Sequence, residues 1–313
     1  MRNFIGHRNI LDNLKKRIDL NEVSHANIIV GENGIGKSNL AVKLARDILG
    51  KSQDKNYIDI IKYRTKKSSF GVDEIRDVVE EINKKPFEGD KKVIIIYDGN
   101  KMTTQAQNAF LKTIEEPPSG VYIILLCESL ELILDTIKSR CQIYKLSPLK
   151  KEEIEEYIKI NLNIEQNTTN DEIKAAIAYS EGIPGRAEEF LKNEELRELR
   201  NILLNLLFIL IKNNMKEVLE YENKILSLKE NKENILNILA SFIRDIIIYK
   251  EINKEDRIIN GDKIKDIEIL AMEMSYKKLS NIIEKIGEAR KSLLSNSNFQ
   301  LIIRVMLIGF MEV

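Results

Sequence analysis

Apolar residues in the first half of the chain fall in short, unbroken runs. Residues 27–30 (NIIV), 92–97 with VIII at its centre, and 121–127 (VYIILLC) each read as a strand. Runs without polar alternation belong to strands covered on both faces. Between them lie stretches of helical spacing. One covers residues 39–49. Another has Thr104 and Gln107 as a capping box, places Ala106, Ala109, Phe110, Thr113 and Ile114 on one face, and stops at Pro117 and Pro118. Strands alternating with helices predict a parallel sheet with helices on both sides. The pattern then changes. All five prolines (86, 117, 118, 148 and 184) precede Gly185, and beyond it apolar positions recur at helical spacing, as in Ile235, Leu236, Leu239, Phe242, Ile243 and Ile246. Residues 253–263 are polar, contain Gly261 and read as a loop. The expected organisation is an α/β domain over 1–146, a small helical module over 147–192 and an all-helical remainder over 193–313.

Length and composition narrow the classes. A chain of 313 residues divides into two or three domains, and 43% hydrophobic residues are enough for real cores. The 49 basic and 49 acidic residues cancel, which argues against a free-standing, strongly basic nucleic-acid binder but allows a local basic face. The longest apolar stretch, residues 202–211, is interrupted by Asn205 and is too short to span a bilayer. It is either ordinary helix core or part of a subunit collar. Two cysteines, Cys127 and Cys141, without a CxxC pair supply no structural zinc ligand set. Low cysteine use and no recognisable signal peptide fit a reducing cytoplasm.

The strongest chemical signal is Gly31-Glu32-Asn33-Gly34-Ile35-Gly36-Lys37-Ser38, a GxxxxGK[ST] loop between a predicted strand and a predicted helix. Its glycines let backbone N–H groups turn toward phosphate oxygens, and the helix N-terminus adds its dipole. Lys37 would meet the β- and γ-phosphates and Ser38 would ligate Mg²⁺. Hydrolysis also needs carboxylates at the end of a neighbouring strand. Here that strand ends Tyr97-Asp98-Gly99-Asn100, and only Asp98 is acidic. Asp98 either stands near the nucleotide or merely caps a turn with Gly99. His7 and His25 read as structural or near a base pocket rather than catalytic. Arg64-Thr65-Lys66-Lys67 reads as solvated charge, with a nucleic-acid-facing role left open.

Taken together these residues resemble the AAA+ clamp-loader family. The resemblance runs through Phe4-Ile5-Gly6-His7, Ser24-His25-Ala26, residues 101–118 (KMTTQAQNAFLKTIEEPP), residues 136–141 (TIKSRC), residues 182–187 (GIPGRA) and residues 293–301 (LLSNSNFQL). It implies an AAA+ nucleotide-binding domain, a helical lid and a helical collar. It also implies ATP or ADP with Mg²⁺ on Gly31, Asn33, Gly34, Ile35, Gly36, Lys37, Ser38 and Asn39. Arg140 would be an arginine finger reaching a neighbouring subunit's nucleotide, and Arg186 a lid residue sensing the chain's own. The implied partners are gamma/tau- and delta-type clamp-loader subunits, with the sliding clamp and primed DNA in the assembly, and the setting is DNA replication without a membrane.

Departures from the family pattern point to weak or absent hydrolysis. Tyr97 stands where active members carry the metal-associated aspartate, Asp98 replaces a glutamate, and Cys127 takes the place of the threonine that orients water. Many relatives insert a four-cysteine zinc module, whereas residues 50–57 form a short polar link without cysteine, so zinc is not expected. The alternative reading is an active gamma/tau-like ATPase motor, which should keep the carboxylate pair missing here. A P-loop kinase of small molecules would leave SRC, the residue 101–118 helix and the long helical C-terminus unexplained.

Overall fold

A computed structural model describes residues 4–53, 55–162, 168–212, 214–227, 232–252, 257–295 and 297–312. By contacts the chain forms two units, one of residues 1–163 with Gly182–Gly185 and one of residues 164–181 with 186–313.

The first unit is built on five parallel strands, β1 (Ala26–Val30), β2 (Ile60–Tyr63), β3 (Lys92–Ile96), β4 (Val121–Cys127) and β5 (Gln142–Lys145), in the order β2-β3-β4-β1-β5. The register runs Ile28 to Leu125 and Ile94 to Ile123 across the centre. The three strands expected from the apolar runs are the three central ones, and their side chains alternate between two cores. Ile28, Ile94, Ile96, Ile123 and Leu125 enter one core. Ile29, Val93, Ile95, Ile124 and Leu126 enter the other. Burial on both faces is why these strands carry no polar alternation. β2 and β5 lie at the edges, where half-exposed IIKY and QIYK need no continuous apolar run.

Helices α1 (Arg8–Asp19), α2 (Lys37–Ile48), α3 (Val72–Asn83) and α4 (Thr104–Glu115) follow, with the four-residue α5 (Asp135–Lys138) and α6 (Lys151–Asn161). On α4 the expectation needs correcting. The capping hydroxyl is that of Thr103, which accepts from Ala106 N–H at 3.2 Å. The buried stripe is Ala106, Gln107, Phe110 and Ile114, while Ala109 is exposed.

The remaining helices are α7 (Asn170–Ser180), α8 (Pro184–Lys192), α9 (Glu194–Lys212), α10 (Met215–Ser227), α11 (Lys232–Ile252), α12 (Ile264–Glu273), α13 (Tyr276–Leu294) and α14 (Phe299–Gly309). In the second unit Leu203, Leu206, Leu207 and Leu210 of the longest apolar stretch are buried, with Asn205 outside. The periodic residues Ile235, Leu236, Leu239, Phe242, Ile243 and Ile246 are all buried along α11. One polar network sits in this core. Arg200 donates to both oxygens of Asp262 at 2.7 and 2.6 Å and to Asn260. Fully buried Asp245 accepts from Ile259 and Asn260 backbone N–H groups and from the Asn260 side chain. Each member is satisfied, so the network fixes the turn around Asn260 without leaving a buried charge alone. Of the expected loop over 253–263, residues 253–256 lie outside the described residues.

Candidate phosphate-binding site and strand-end cluster

Parallel strands bring all their C-terminal ends to one rim, and the residues that follow them meet there. β1 runs straight into the loop Gly31 to Ser38. Gly36, at φ 109°, has a backbone conformation that L side chains rarely adopt, and it starts α2 without a side-chain cap. The first turn of α2 therefore presents uncapped N–H groups, the geometry that receives an anion. Ile35 is buried in the core beneath the loop, while Asn33 and Gly34 are exposed and Ser38 and Asn39 are half-buried. Gly185 N–H donates to Gly34 carbonyl at 3.0 Å, so Gly182–Gly185 braces the loop from the side. Lys37 folds back over it and donates to the Gly31 and Glu32 carbonyls at 2.7 and 2.9 Å. Burial lowers the Lys37 ammonium below its usual range, and Glu128, Cys127, Asp98 and Glu32 oppose that shift.

At the end of β3 the Tyr97 phenol lies close to Ser38 at the start of α2. Burial raises the Tyr97 phenol above its usual range, against the pull of Arg64 and Ser38. The Arg64 guanidinium lies 4.5 Å from the centre of the Tyr97 ring. Asp98 adopts a left-handed conformation at φ 54°. Its carbonyl opens the short turn that follows, its side chain makes no capping bond, and its carboxylate lies 3.4 Å from Lys101 and 3.9 Å from Arg64. Gly99 is dictated by space, because a Cβ there would stand 2.7 Å from Leu125 and 2.9 Å from the Cys127 sulfur. Cys127 ends β4 fully buried, and burial pushes its thiol up to about 12. A divalent cation bound with a nucleotide would rely on the Ser38 hydroxyl, phosphate oxygens and water, since β3 ends in a single carboxylate, Asp98, which faces Lys101 and Arg64. Among the described residues no group of three His, Cys, Asp or Glu side chains converges.

Arg140 follows α5, one residue beyond its C-cap Ser139. Its guanidinium meets Glu115, the last residue of α4, at 2.6 Å, and donates to Thr136 carbonyl at 3.0 Å. Its side chain keeps 40% exposure. The loop leading to it is held by Gln107, whose amide donates to Leu132 and Met102 carbonyls and accepts from Leu134 N–H at 2.8 Å. Arg186 belongs to the second unit, where Glu181 holds it at 2.9 Å. Arg186 and Glu181 line a cavity of about 380 Å³ there, together with Tyr179, Arg244 and Arg290. His25 is structural, bonded to Ile114 carbonyl at 2.9 Å. His7 begins α1, and burial lowers its imidazole below the usual range, opposed by Glu153.

The sequence reading missed three contributors. Arg64 was hidden because β2 was not recognised, so a residue at a strand end passed for solvated charge. Gln107 was taken for a capping group, although its position on the same helical face as Phe110 and Ile114 would have placed it inside. Glu128 directly follows the third apolar run and could have been found from that register.

A parallel 2-3-4-1-5 sheet with a phosphate-binding loop after its fourth-ordered strand and a helical second unit defines the AAA+ class. The profile of the family "DNA polymerase III, delta subunit" matches residues 6–150, and that of its C-terminal part matches residues 190–312. The chain belongs to this DNA polymerase III clamp-loader family, and within it to the delta-prime kind. It is 27% identical over 305 residues to DNA polymerase III subunit delta' of Bacillus subtilis, covering 92% of this chain and 91% of that one. It is 28% identical over 177 residues to the replication factor C small subunit of Natronomonas pharaonis, a likeness over 56% of this chain and about half (53%) of that relative. The solved DNA polymerase III gamma subunit-related protein of Thermotoga maritima overlays at a TM-score of 0.49 with 17% identity, covering 96% and 98% of the two chains. No described helix is long and apolar enough to cross a membrane.

Two predictions come from this geometry. Gln107→Ala leaves the Leu134 N–H and two carbonyls without their partner and is expected to lower stability by about 2–3 kcal/mol in urea unfolding. Cys141, like Cys127, is pushed up to about 12 by burial. At pH 8 each native thiol should therefore react with iodoacetamide roughly a thousandfold more slowly than an ordinary exposed thiol. Mass spectrometry of the labelled, folded chain reads this directly, and rapid double labelling would contradict it.

Proposed function

We propose that this clamp-loader subunit seats ATP or ADP on Gly31, Asn33, Gly34, Ile35, Gly36, Lys37, Ser38 and Asn39, hydrolyses it weakly or not at all, and acts mainly on its neighbour. The observation that carries this reading is the state of the three strand-end groups. Tyr97 offers a phenol beside Ser38 in place of a carboxylate, the Asp98 carboxylate lies between Lys101 and Arg64, and the Cys127 thiol is buried and protonated. Water attack on a γ-phosphate needs a group to orient the water and positive charge to receive the developing negative charge. Lys37 supplies charge, while none of those three side chains is a free base.

Arg140 is the group offered outward. It is permanently charged, it meets oxygens bidentately, and it stands partly exposed on a short segment that Gln107 holds in place. Glu115 keeps it extended until a phosphate from the adjacent ATP-bearing subunit replaces that carboxylate. In the same reading 1–146 is the nucleotide-binding domain, 147–192 the lid and 193–313 the collar. Arg186 exchanges Glu181 for the chain's own nucleotide when the lid closes. The other clamp-loader subunits, of gamma/tau and delta type, pack partly on the collar, where Met272, Tyr276, Leu301 and Val305 are exposed apolar positions in need of cover. The assembly, not this chain alone, handles the sliding clamp and primed DNA. Neither a zinc site nor covalent chemistry is assigned to this subunit.

The isolated chain is expected to turn over ATP at least about a hundredfold more slowly than an active clamp-loader subunit, measured by phosphate release. Arg140→Ala should cut turnover at the neighbouring site by roughly a thousandfold, read as loss of that site's share of DNA-stimulated hydrolysis. Size-exclusion chromatography should find the complex still assembled. Unchanged DNA-stimulated turnover in an intact complex would remove Arg140 from this role.

A further inference from the structure

Helix α11 has two faces of opposite character. Ile235, Leu239, Phe242 and Ile246 are buried in the core of the second unit, while Asn234, Asn237, Ser241 and Arg244 recur every three or four residues along the other side. That polar stripe forms one wall of the cavity of about 380 Å³ in the second unit. Arg186 and Glu189 of α8, Tyr179 of α7 and Arg290 of α13 complete the lining. Three guanidiniums from three helices therefore line one space, against the carboxylates of Glu181 and Glu189. Glu181 already receives Arg186 at 2.9 Å. Arg244 donates to Asp245 at 3.0 Å, and that buried carboxylate is shared with three donors of residues 259 and 260. Arg290 donates to the Asn237 side chain at 2.9 Å. A guanidinium has five N–H donors, and the Arg244 side chain keeps 48% exposure, so these bonds do not use up what the arginines offer. The wall itself is braced. Ser241 donates to Ile238 carbonyl at 2.8 Å and accepts from Asn260 at 3.3 Å, which ties the stripe to the buried polar network.

We propose that this cavity is a second ligand site, separate from the loop of residues 31–38, and that it takes a mononucleotide. Its volume lies at the lower end of small-ligand pockets, which run from about 300 to 1,000 Å³. Arginine suits phosphate because its planar fork pairs with two oxygens and never loses its charge. Arg244 and Arg290 stand on different helices, so a phosphate group between them ties α11 to α13. Tyr179, tilted against Phe190 with ring centres 5.2 Å apart, supplies an aromatic surface for a planar base. Glu189 is an acceptor for a ribose hydroxyl or a base amino group. A bare phosphate ion would leave that ring and carboxylate unused, and an acidic peptide would bring further carboxylates against Glu189. The proposal does not depend on the nucleotide reading of residues 31–38.

The test is isothermal titration of the purified full-length chain with ADP up to about 1 mM. The Lys37→Ala variant removes the loop's ammonium and isolates the cavity. In that background ADP is expected to bind with one equivalent, and adding Arg290→Glu should weaken this binding at least about tenfold. Arg290 is exposed, so its replacement should leave the melting temperature in place. Arg244→Ala, on a different helix, should give a loss of about the same size and serves as an independent reading. An equivalent that survives Lys37→Ala and disappears with Arg290→Glu supports the cavity whether or not the loop binds. Loss of all ADP binding in Lys37→Ala overturns the proposal while leaving the loop's nucleotide intact. Residual binding that neither cavity variant changes also overturns it, as does no binding of ADP to any of the chains. Inorganic pyrophosphate that binds the Lys37→Ala chain as tightly as ADP overturns the mononucleotide assignment, and so does a glutamate-rich peptide that binds this cavity when ADP does not.

Discussion

Parallel strands covered on both faces end at a common rim, and almost everything chemical in the first unit follows from that constraint. Ile28, Ile94 and Ile123 face one core while Ile29, Ile95 and Ile124 face the other, so the central strands cannot slip register without exposing an entire apolar set. Once the register holds, the next residues along each strand must meet: Gly31 after β1, Arg64 after β2, Tyr97 after β3 and Glu128 after β4. Helix α2 then begins at the same rim with its N–H groups uncapped. The site is a consequence of sheet geometry before any side chain is chosen.

What the side chains add is an unusual distribution of charge. Where the rim of a hydrolytic site concentrates carboxylate around a metal, this rim has a phenol beside the serine, a buried thiol and two cations against its single β3 aspartate. Lys37 bridges two carbonyls of its own loop and so ties its ends together. In the function proposed above these features agree with one another: each would remove part of the machinery that activates water, and none would remove the backbone groups that receive phosphate. A fold can keep its ligand and lose its reaction, because binding uses backbone groups and a helix end while hydrolysis needs specific side chains.

The arginine offered outward depends on a different kind of support. Arg140 lies two residues beyond a four-residue helix that could not hold its own position. Gln107, buried on α4, spends all of its amide on the loop before that helix, and Glu115, at the end of α4, receives the guanidinium. One helix thus fixes both the loop and the direction of the Arg140 side chain. In the second unit the buried Arg200, Asn260, Asp262 and Asp245 network gives the apolar helices a defined turn to pack around, a specificity that leucine and isoleucine contacts alone would not supply.

The linear pattern was sufficient for the central strands, the glycine-rich turn between β1 and α2, the helix over residues 104–115 and the helical second half, because each is specified by local spacing: unbroken apolar runs, glycines at fixed offsets, a 3.6-residue period. It also carried the family resemblance, since SRC and the residue 101–118 helix are contiguous motifs. It could not reach β2 and β5, whose pairing is decided by central strands already in place and whose half-exposed sequences look like loop. It misassigned the cap of α4 by one residue, because Thr103 and Thr104 are chemically alike and only backbone dihedrals separate them. Above all, it could not see Arg64 over Tyr97 or Tyr97 beside Ser38. Those contacts join residues 33 and 59 positions apart, and they exist only because parallel strands, once folded, deliver their ends to the same place.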